Sequence, residues 1–210
     1  MIRSLSFAAL GAVAWSASEY AIHRFVGHGP KRTAPPGVLG RISLRGIAYE
    51  FNREHLAHHT DPTYFAPTSR KLLAAGVAIS SVTAALAPIV GPRRAGAFAL
   101  GFTAAYGAYE LLHRRIHTHP ATGPYGRWAR RHHLAHHYRT PRENHGVTSG
   151  VWDRVFRTRL PVEQLRVPRR SAPAWMTDAR GALRPELAED YVLVGKGAAS
   201  ETAPEAITAS

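Results

Sequence analysis

The 210 residues contain no cysteine. That absence excludes disulfide scaffolds, thiolate zinc sites, cysteine nucleophiles and cysteine-ligated iron–sulfur clusters. Acidic side chains are scarce too: 14 Asp and Glu stand against 27 Lys and Arg, a formal charge of +13 with histidine neutral. Yet charged residues make up only 20% of the chain and hydrophobic ones 45%, so a disordered basic tail cannot be the whole protein. The length holds one domain, with no room for a second core or an appended cofactor module. What is plentiful is histidine. Thirteen occur, all between His23 and His145, and the last 65 residues have none.

Three apolar stretches almost free of charge cover residues 4–18, 72–90 and 95–109. The second, at 19 residues, is close to the roughly 20 needed to cross about 30 Å of hydrocarbon at about 1.5 Å per residue. The other two reach that length only by taking in residues 19–22 and 110–112, and with them Glu19 and Glu110. A carboxylate and then a histidine at the end of a span are costly to desolvate, which marks a functional site facing the bundle interior. Two alternatives compete. Residues 1–20 also fit a signal peptide, with Ala14-Trp15-Ser16-Ala17 for cleavage, but the apolar run flows straight into His23 and His28. The second and third stretches also fit a buried hairpin of a soluble protein, turning at Pro88 and Gly91-Pro92.

Residues 31–71 and 113–170 hold seven and thirteen Lys or Arg, against Arg3, Arg93 and Arg94 at the other ends of the spans. Basic residues accumulate on the cytoplasmic side, so the histidine-bearing face is expected there. Residues 37–49, with Arg41 and Arg45 among apolar neighbours, read as an interfacial segment. After Arg170 the composition shifts to Ala, Pro, Glu and Ser. The expected organisation is therefore an all-α, integral-membrane bundle of about three spans with a cytoplasmic helical histidine-rich cap over residues 1–160. A loosely ordered tail is expected over 161–210.

The histidines fall in chelating patterns. His23 and His28 form HxxxxH; His55, His58 and His59 form HxxHH; His113 and His117 form HxxxH; His133, His136 and His137 repeat HxxHH. Helical spacings of three and four put imidazoles on one face, about 5–6 Å apart at Cβ, so each HxxHH offers three ligands from one turn. A lone histidine is more often a satisfied polar side chain, but ten at four repeated spacings, interleaved with apolar stretches, point to metal. Ten ligands exceed what one first-row ion takes, and two ions are the natural count. Imidazole suits Fe, Zn, Cu and Ni alike. Only Glu110-Leu111-Leu112-His113 fits the ExxH of ferritin-like sites, and there is no HExxH. Glu19 and Glu110 are expected to accept the non-ligating N–H of His23 and His113 or to ligate directly; the alternative is pairing with Arg24 and Arg114.

EYAIHRFVGHGP, HLAHHTDPTYFAP, YELLHRRIH and the HHLAHHYRT…HGVTSGVWDRVF run, in that order over residues 19–157, together resemble the fatty acid hydroxylase (sterol desaturase-like) superfamily of integral-membrane histidine-box enzymes. The resemblance implies an O2-dependent di-iron centre at the cytoplasmic membrane surface, acting on lipids. By motif it places the metal role on His23, His28, His55, His58, His59, His113, His117, His133, His136 and His137. The chain departs from the pattern at Arg157-Thr158, where the family usually has Gly-Thr, and in the extra histidines His119, His132 and His145, of which His132 could replace His133 in the last box. It also has one span before the first box where the family often has two, and no fused cytochrome-type domain.

The expected activity is hydroxylation of a lipid C–H bond, most readily on a fatty acyl chain, with O2 and two iron ions, zinc being a possible substitute. No catalytic side chain is assigned, because the metal carries the chemistry. Electrons are expected from a separate ferredoxin or cytochrome, docking on Arg127, Arg130, Arg131, Arg139 and Arg142, which equally suit anionic headgroups or simple positive-inside bias. The alternatives are a desaturase or a sterol or carotenoid hydroxylase on the same scaffold, and a non-oxygenase metal-binding protein or transporter. A transporter would place its ligands near mid-membrane rather than at span ends. Nucleic acid is not an expected partner: the basic residues follow the spans, and no groove-reading motif is present.

Overall fold

The structure, a computed structural model, describes residues 2–195. Helix α1 (Ile2–Ala21) runs without a break into a single π turn (Ile22–Gly27). Short α2 (Gly37–Ile42) leads to α3 (Leu44–Thr60), whose first turn is capped by Ser43, its hydroxyl accepting from the Gly46 N–H at 3.2 Å. Helices α4 (Thr68–Val90) and α5 (Pro92–Thr118) form a hairpin. Gly91, at φ 84°, supplies the left-handed residue that the reversal requires. Helices α6 (Gly123–Tyr138) and α7 (Val151–Val155) complete the helical part.

The three expected apolar helices are thus present as α1, α4 and α5, but among the described residues only α4 is long and apolar enough to qualify as a membrane span by itself. The expectation of three spans is narrowed accordingly. Helices α1 and α5 have 20 and 27 residues, but their last turns carry Glu19 and, in α5, Glu110 to His117, and those turns build the site.

Helix α1 packs lengthwise and parallel on α5. The guanidinium of Arg94 lies 5.9 Å from the Phe7 ring at one end, and Trp15 packs edge-on against Phe102 and Tyr106 further along. The two backbones meet closely because Gly11 sits against the Phe98 carbonyl and Gly101 against the Ala8 carbonyl, where a Cβ would collide. Helix α4 lies along the other side of α5 and leaves Leu72, Leu73, Val77 and Ile89 more than half exposed. The α2–α3 corner likewise exposes Val38, Leu39, Ile42, Leu44 and Ile47 beside Arg41 and Arg45.

The all-α expectation and the loosely ordered tail both need correction. Strand β1 (Leu165–Pro168) pairs in parallel with β2 (Tyr191–Val194), Leu165 opposite Tyr191. Leu165, Val167, Trp175, Met176 and Tyr191 are buried in one core with Ile116, Leu134 and Val147. The Trp175 indole donates to the Ile116 carbonyl at 3.1 Å, and the Tyr138 hydroxyl donates to the Ser171 carbonyl at 2.7 Å. A few apolar anchors two residues apart suffice to order a Pro- and Ala-rich stretch when a helical core offers them a wall. The remainder of the expected tail, residues 196–210, lies outside the described residues.

Candidate metal centre

The π turn sets the first pair of histidines. Positions five apart lie well apart around an α-helix but close to one another around a π turn, which closes i to i+5. The His28 N–H donates to the His23 carbonyl at 3.0 Å, and the two rings come to 5.2 Å between centroids. Asn52 of α3 fixes the end of this turn by donating to the carbonyls of Val26 and Gly27 at 3.0 and 2.9 Å. Gly27 itself gives the His55 ring room to approach, since a Cβ there would strike it.

The structure brings all ten histidines singled out in the sequence to one place, in two groups of five. His23, His28, His55, His59 and His136 form the first; His58, His113, His117, His133 and His137 form the second. Within each group the potential ligand atoms lie within 4.8 Å of one another. The π turn and α3 supply four rings of the first group and α6 the fifth; α5 and α6 supply four of the second, and α3 adds His58.

Tautomers follow from the outer partners. His23 donates its Nδ1–H to the His145 carbonyl, His58 to that of Tyr64 at 2.8 Å, and His136 to that of Glu143 at 2.7 Å. A carbonyl only accepts, so in these three neutral rings Nε2 is a bare lone pair turned inward. In the first group the His28 Nε2 lies 2.8 Å from both the His55 and the His136 Nε2, and the latter is 3.2 Å from that of His59. In the second, the Nε2 atoms of His58, His117, His133 and His137 follow one another at 3.2, 3.1 and 3.1 Å. The Nε2 atoms of His23 and His113 are buried with no hydrogen-bond partner.

Burial keeps these rings neutral. It pushes His28 and His58 down to about 4 and His59 to about 3, aided at His28 by His145, at His59 by His28, and at His58 by Lys71 against the Tyr64 carbonyl. Burial and mutual repulsion hold His55, His133, His136 and His137 well below the usual histidine value. Lone pairs facing one another in a dry site repel, and a central cation converts that repulsion into ligation. With metal–nitrogen bonds of about 2.1 Å at right angles, neighbouring ligand nitrogens stand about 3 Å apart, the spacing found here. The donor set therefore fits a cation in each group.

Of the extra histidines, His132 turns away from the groups, stacking on Trp128 and lying 3.1 Å from Asp153, so His133 is the first residue of the last box. His145 serves through its carbonyl on His23. His119 is exposed at the end of α5.

Neither glutamate does what its spacing suggested. Glu19 accepts from the Val147 and Thr148 N–H groups at 2.6 and 2.9 Å and from the Thr148 hydroxyl, pinning the loop whose His145 carbonyl holds His23. Glu110 pairs with Lys71 of α4, while Arg24 donates to the Tyr20 hydroxyl and Arg114 lies over Phe65. The residue that spacing missed is Asp153. Fully buried, it accepts from the N–H groups of His145 and Gly146 at 2.8 and 2.9 Å and from the Thr158 hydroxyl at 2.8 Å, which explains the NHGVTSGVWDRV motif as one folded knot.

The expected arginine face is smaller than its sequence suggests. Arg130 is buried, donating to the carbonyls of Arg115 and His119 at the end of α5, and Arg127 and Arg131 pair with Asp190. Arg139 and Arg142 remain exposed.

Residues 8–158 match the fatty acid hydroxylase family, a span that holds all ten histidines and the Asp153 knot. The chain is 29% identical over 149 residues to a dihydroceramide fatty acyl 2-hydroxylase of Arabidopsis thaliana, covering 71% of this chain and 58% of that protein. It is 28% identical over 166 residues to a ceramide very long chain fatty acid hydroxylase of Schizosaccharomyces pombe, covering 76% and 44%, and 28% identical over 158 residues to a human fatty acid 2-hydroxylase, covering 72% and 39%. Among solved structures, it resembles the visible hydroxylase domain of full-length scs7p with a TM-score of 0.58 and 26% identity, covering 75% of this chain and 56% of that one. The chain thus spans little more than half the length of the plant relative and less of the others. On the extent of the family match, over more than two thirds of its length, this chain belongs to the fatty acid hydroxylase family.

Proposed function

We propose that this protein hydroxylates the acyl chain of a membrane lipid, using O2, two iron ions held by the ten histidines, and electrons from a separate donor protein. The observation that carries this reading is the pair of adjoining imidazole groups whose inward nitrogens lie at ligand spacing. The relatives, named for fatty acyl 2-hydroxylation, support the acyl substrate and suggest the carbon next to the acyl carbonyl. Helices α1, α4 and α5 anchor the chain in the bilayer, and the histidine groups lie at the cytoplasmic surface.

Iron in these positions would supply the redox chemistry that splits O2 and removes hydrogen from an unactivated C–H bond, which zinc does not. Overall, one oxygen atom enters the C–H bond, the other leaves as water, and two electrons and two protons come from outside. The chain's own residues prepare that event. Carbonyls of His145, Tyr64 and Glu143 hold three rings in the tautomer that turns Nε2 inward. Burial keeps the rings unprotonated and water out. Glu19 and Asp153 fix the loop behind the first group, so ring positions need not be found anew at each turnover. Of the five arginines expected to form a docking face, Arg139 and Arg142 stay exposed for an acidic electron donor.

The test is lipid mass spectrometry of cells expressing the protein under 18O2. A hydroxylated lipid 18 mass units heavier than its precursor is expected, absent with His113→Ala. Label arriving from water would assign hydrolytic chemistry, and a product lighter by two hydrogens a desaturase.

A further inference from the structure

The loop behind the first histidine group gives four consecutive backbone N–H groups to two buried carboxylates. Those of His145 and Gly146 go to Asp153 at 2.8 and 2.9 Å, and those of Val147 and Thr148 to Glu19 at 2.6 and 2.9 Å. The His145 carbonyl, in the same peptide unit as the Gly146 N–H, accepts the Nδ1–H of His23. One amide therefore carries a carboxylate at its N–H end and a candidate ligand ring at its oxygen.

Asp153 is fully buried and ionised. Burial alone would raise its pKa, but hydrogen bonds from His132, Gly146 and Thr158 outweigh burial and hold the carboxyl below its ordinary value. A negative charge at the N–H end of an amide pushes electron density to its oxygen, and hydrogen bonds in such a chain strengthen one another in a dry interior. The carbonyl then draws harder on the His23 N–H, which makes the opposite Nε2 a better donor to a cation. That Nε2 is buried in the first group with no hydrogen-bond partner. Glu19 does not act in this way: the peptides it binds have the carbonyls of Gly146 and Val147, and neither holds a ligand ring among the described residues.

The second group has no counterpart among the described residues. His58 donates to the Tyr64 carbonyl at 2.8 Å, and the Nδ1 atoms of His117, His133 and His137 are buried without a hydrogen-bond partner. Building on the dinuclear reading, we propose that Asp153 acts through the His145–Gly146 peptide as a positioning residue for the first metal, making His23 its most electron-rich ligand. The two groups then differ in affinity, and the first takes up its ion before the second.

The test is metal binding, read without turnover. Chelator-treated protein in detergent is titrated with Co2+ against a competing indicator chelator. The unaltered protein should bind two ions, the first at least about tenfold more tightly. Anomalous scattering from crystals given one equivalent of cobalt should place it among His23, His28, His55, His59 and His136. Asp153→Asn, which keeps the size of the side chain and removes its charge, should weaken the tight phase about ten- to a hundredfold and leave the weak phase where it was. Glu19→Gln, which alters the hold on the same loop through the neighbouring pair of N–H groups, should weaken the tight phase far less. If both variants weaken it equally, Asp153 serves only to hold the loop and the proposal fails. Equal affinities in the unaltered protein, or a single equivalent of cobalt found in the second group, overturn it too, and need no variant that folds. A protein with two unequal sites that yields no 18O-labelled lipid refutes the reaction alone, whereas one that never binds a second ion refutes the dinuclear reading.

Discussion

His59 and His137 stack face to face, their ring centroids 4.1 Å apart and their planes 9° from parallel. One belongs to the first histidine group and the other to the second, so the two groups share a wall and cannot move independently. Loss of one group should therefore be felt in the other. His136→Ala is expected to lower bound metal from two ions per chain to one or fewer and to abolish product, with the chain still reaching the membrane. Elemental analysis of detergent-purified protein checks it, and a stoichiometry of one ion in fully active unaltered protein would sink the dinuclear reading. Recovered zinc alone would not identify the native ion, because zinc enters imidazole sites readily.

Metal-free protein should lose stability on mild acidification. His28, His58 and His59 sit at about 4, 4 and 3, against about 6.5 in the unfolded chain. Between those values the unfolded state binds more protons than the folded one, so stability rises with pH across the window and falls as pH drops through it. The loss begins near pH 6.5 and levels off below about pH 3, once the folded rings are protonated as well. Thermal melting of chelator-treated protein from pH 7.5 to 4 is the measurement; a melting temperature that stays constant below pH 6.5 contradicts it.

The histidine groups were legible because chelation and helix geometry share a spacing: HxxHH on α3 and α6 already faces inward when those helices form. The His23 and His28 pair stood out by its spacing but not by its geometry, since nothing local announces a π turn and the carbonyls that pin it are reached by Asn52 of α3. The roles of Glu19 and Asp153 were hidden for the same reason. Their partners are backbone N–H groups, which every residue but proline has, and for Glu19 they lie more than a hundred residues away. Arg127, Arg130 and Arg131 read as a basic face because a sequence does not show that Asp190 and the end of α5 take their charge. The small parallel sheet was obscured by a Pro- and Ala-rich composition, in which four-residue strands leave little pattern.

Asp153→Ala should be among the most damaging changes outside the histidines. It strands two buried N–H groups, leaves the Thr158 hydroxyl with Tyr20 alone, and frees the loop that holds His23. The cost is about 3 kcal/mol or more, a large part of a small domain's stability. Asp153→Asn, which keeps one acceptor, should cost less. Chemical denaturation ranks the variants, and equal stability of Asp153→Ala and the unaltered protein would show that the loop is held by something else.

Gly101→Leu should separate α1 from α5. Its side chain would enter the Ala8 backbone, which cannot yield as a flexible side chain does, so the cost exceeds the roughly 1–3 kcal/mol of ordinary overpacking. Gly107→Leu on the same helix meets nothing within 4 Å and serves as the control. Size-exclusion profiles of the detergent-solubilised proteins should show aggregation for the first and a normal peak for the second.

Orientation follows from where the helix ends lie. Arg94 over Phe7 places the start of α5 beside the start of α1, and the Gly91 turn joins the end of α4 to the same place. Arg93 and Arg94 therefore share one end of the hairpin, while the histidines and the basic residues of 31–71 and 113–170 lie at the other. With seven and thirteen positive residues against two at the turn and Arg3, the proposed membrane reading predicts that the histidine end faces the cytoplasm. Activity reporters inserted at Pro62 and fused after the C-terminus should both read cytoplasmic, and one inserted at Gly91 should read on the opposite side of the membrane. A fusion at Ser171 would be a poor choice, because its carbonyl accepts from Tyr138 within the folded C-terminal lobe. The inverse pattern at all three positions would reverse the orientation. A cytoplasmic reading at Gly91 together with the other two would mean that α4 and α5 do not cross at all, leaving the apolar face of α4 to a partner other than lipid.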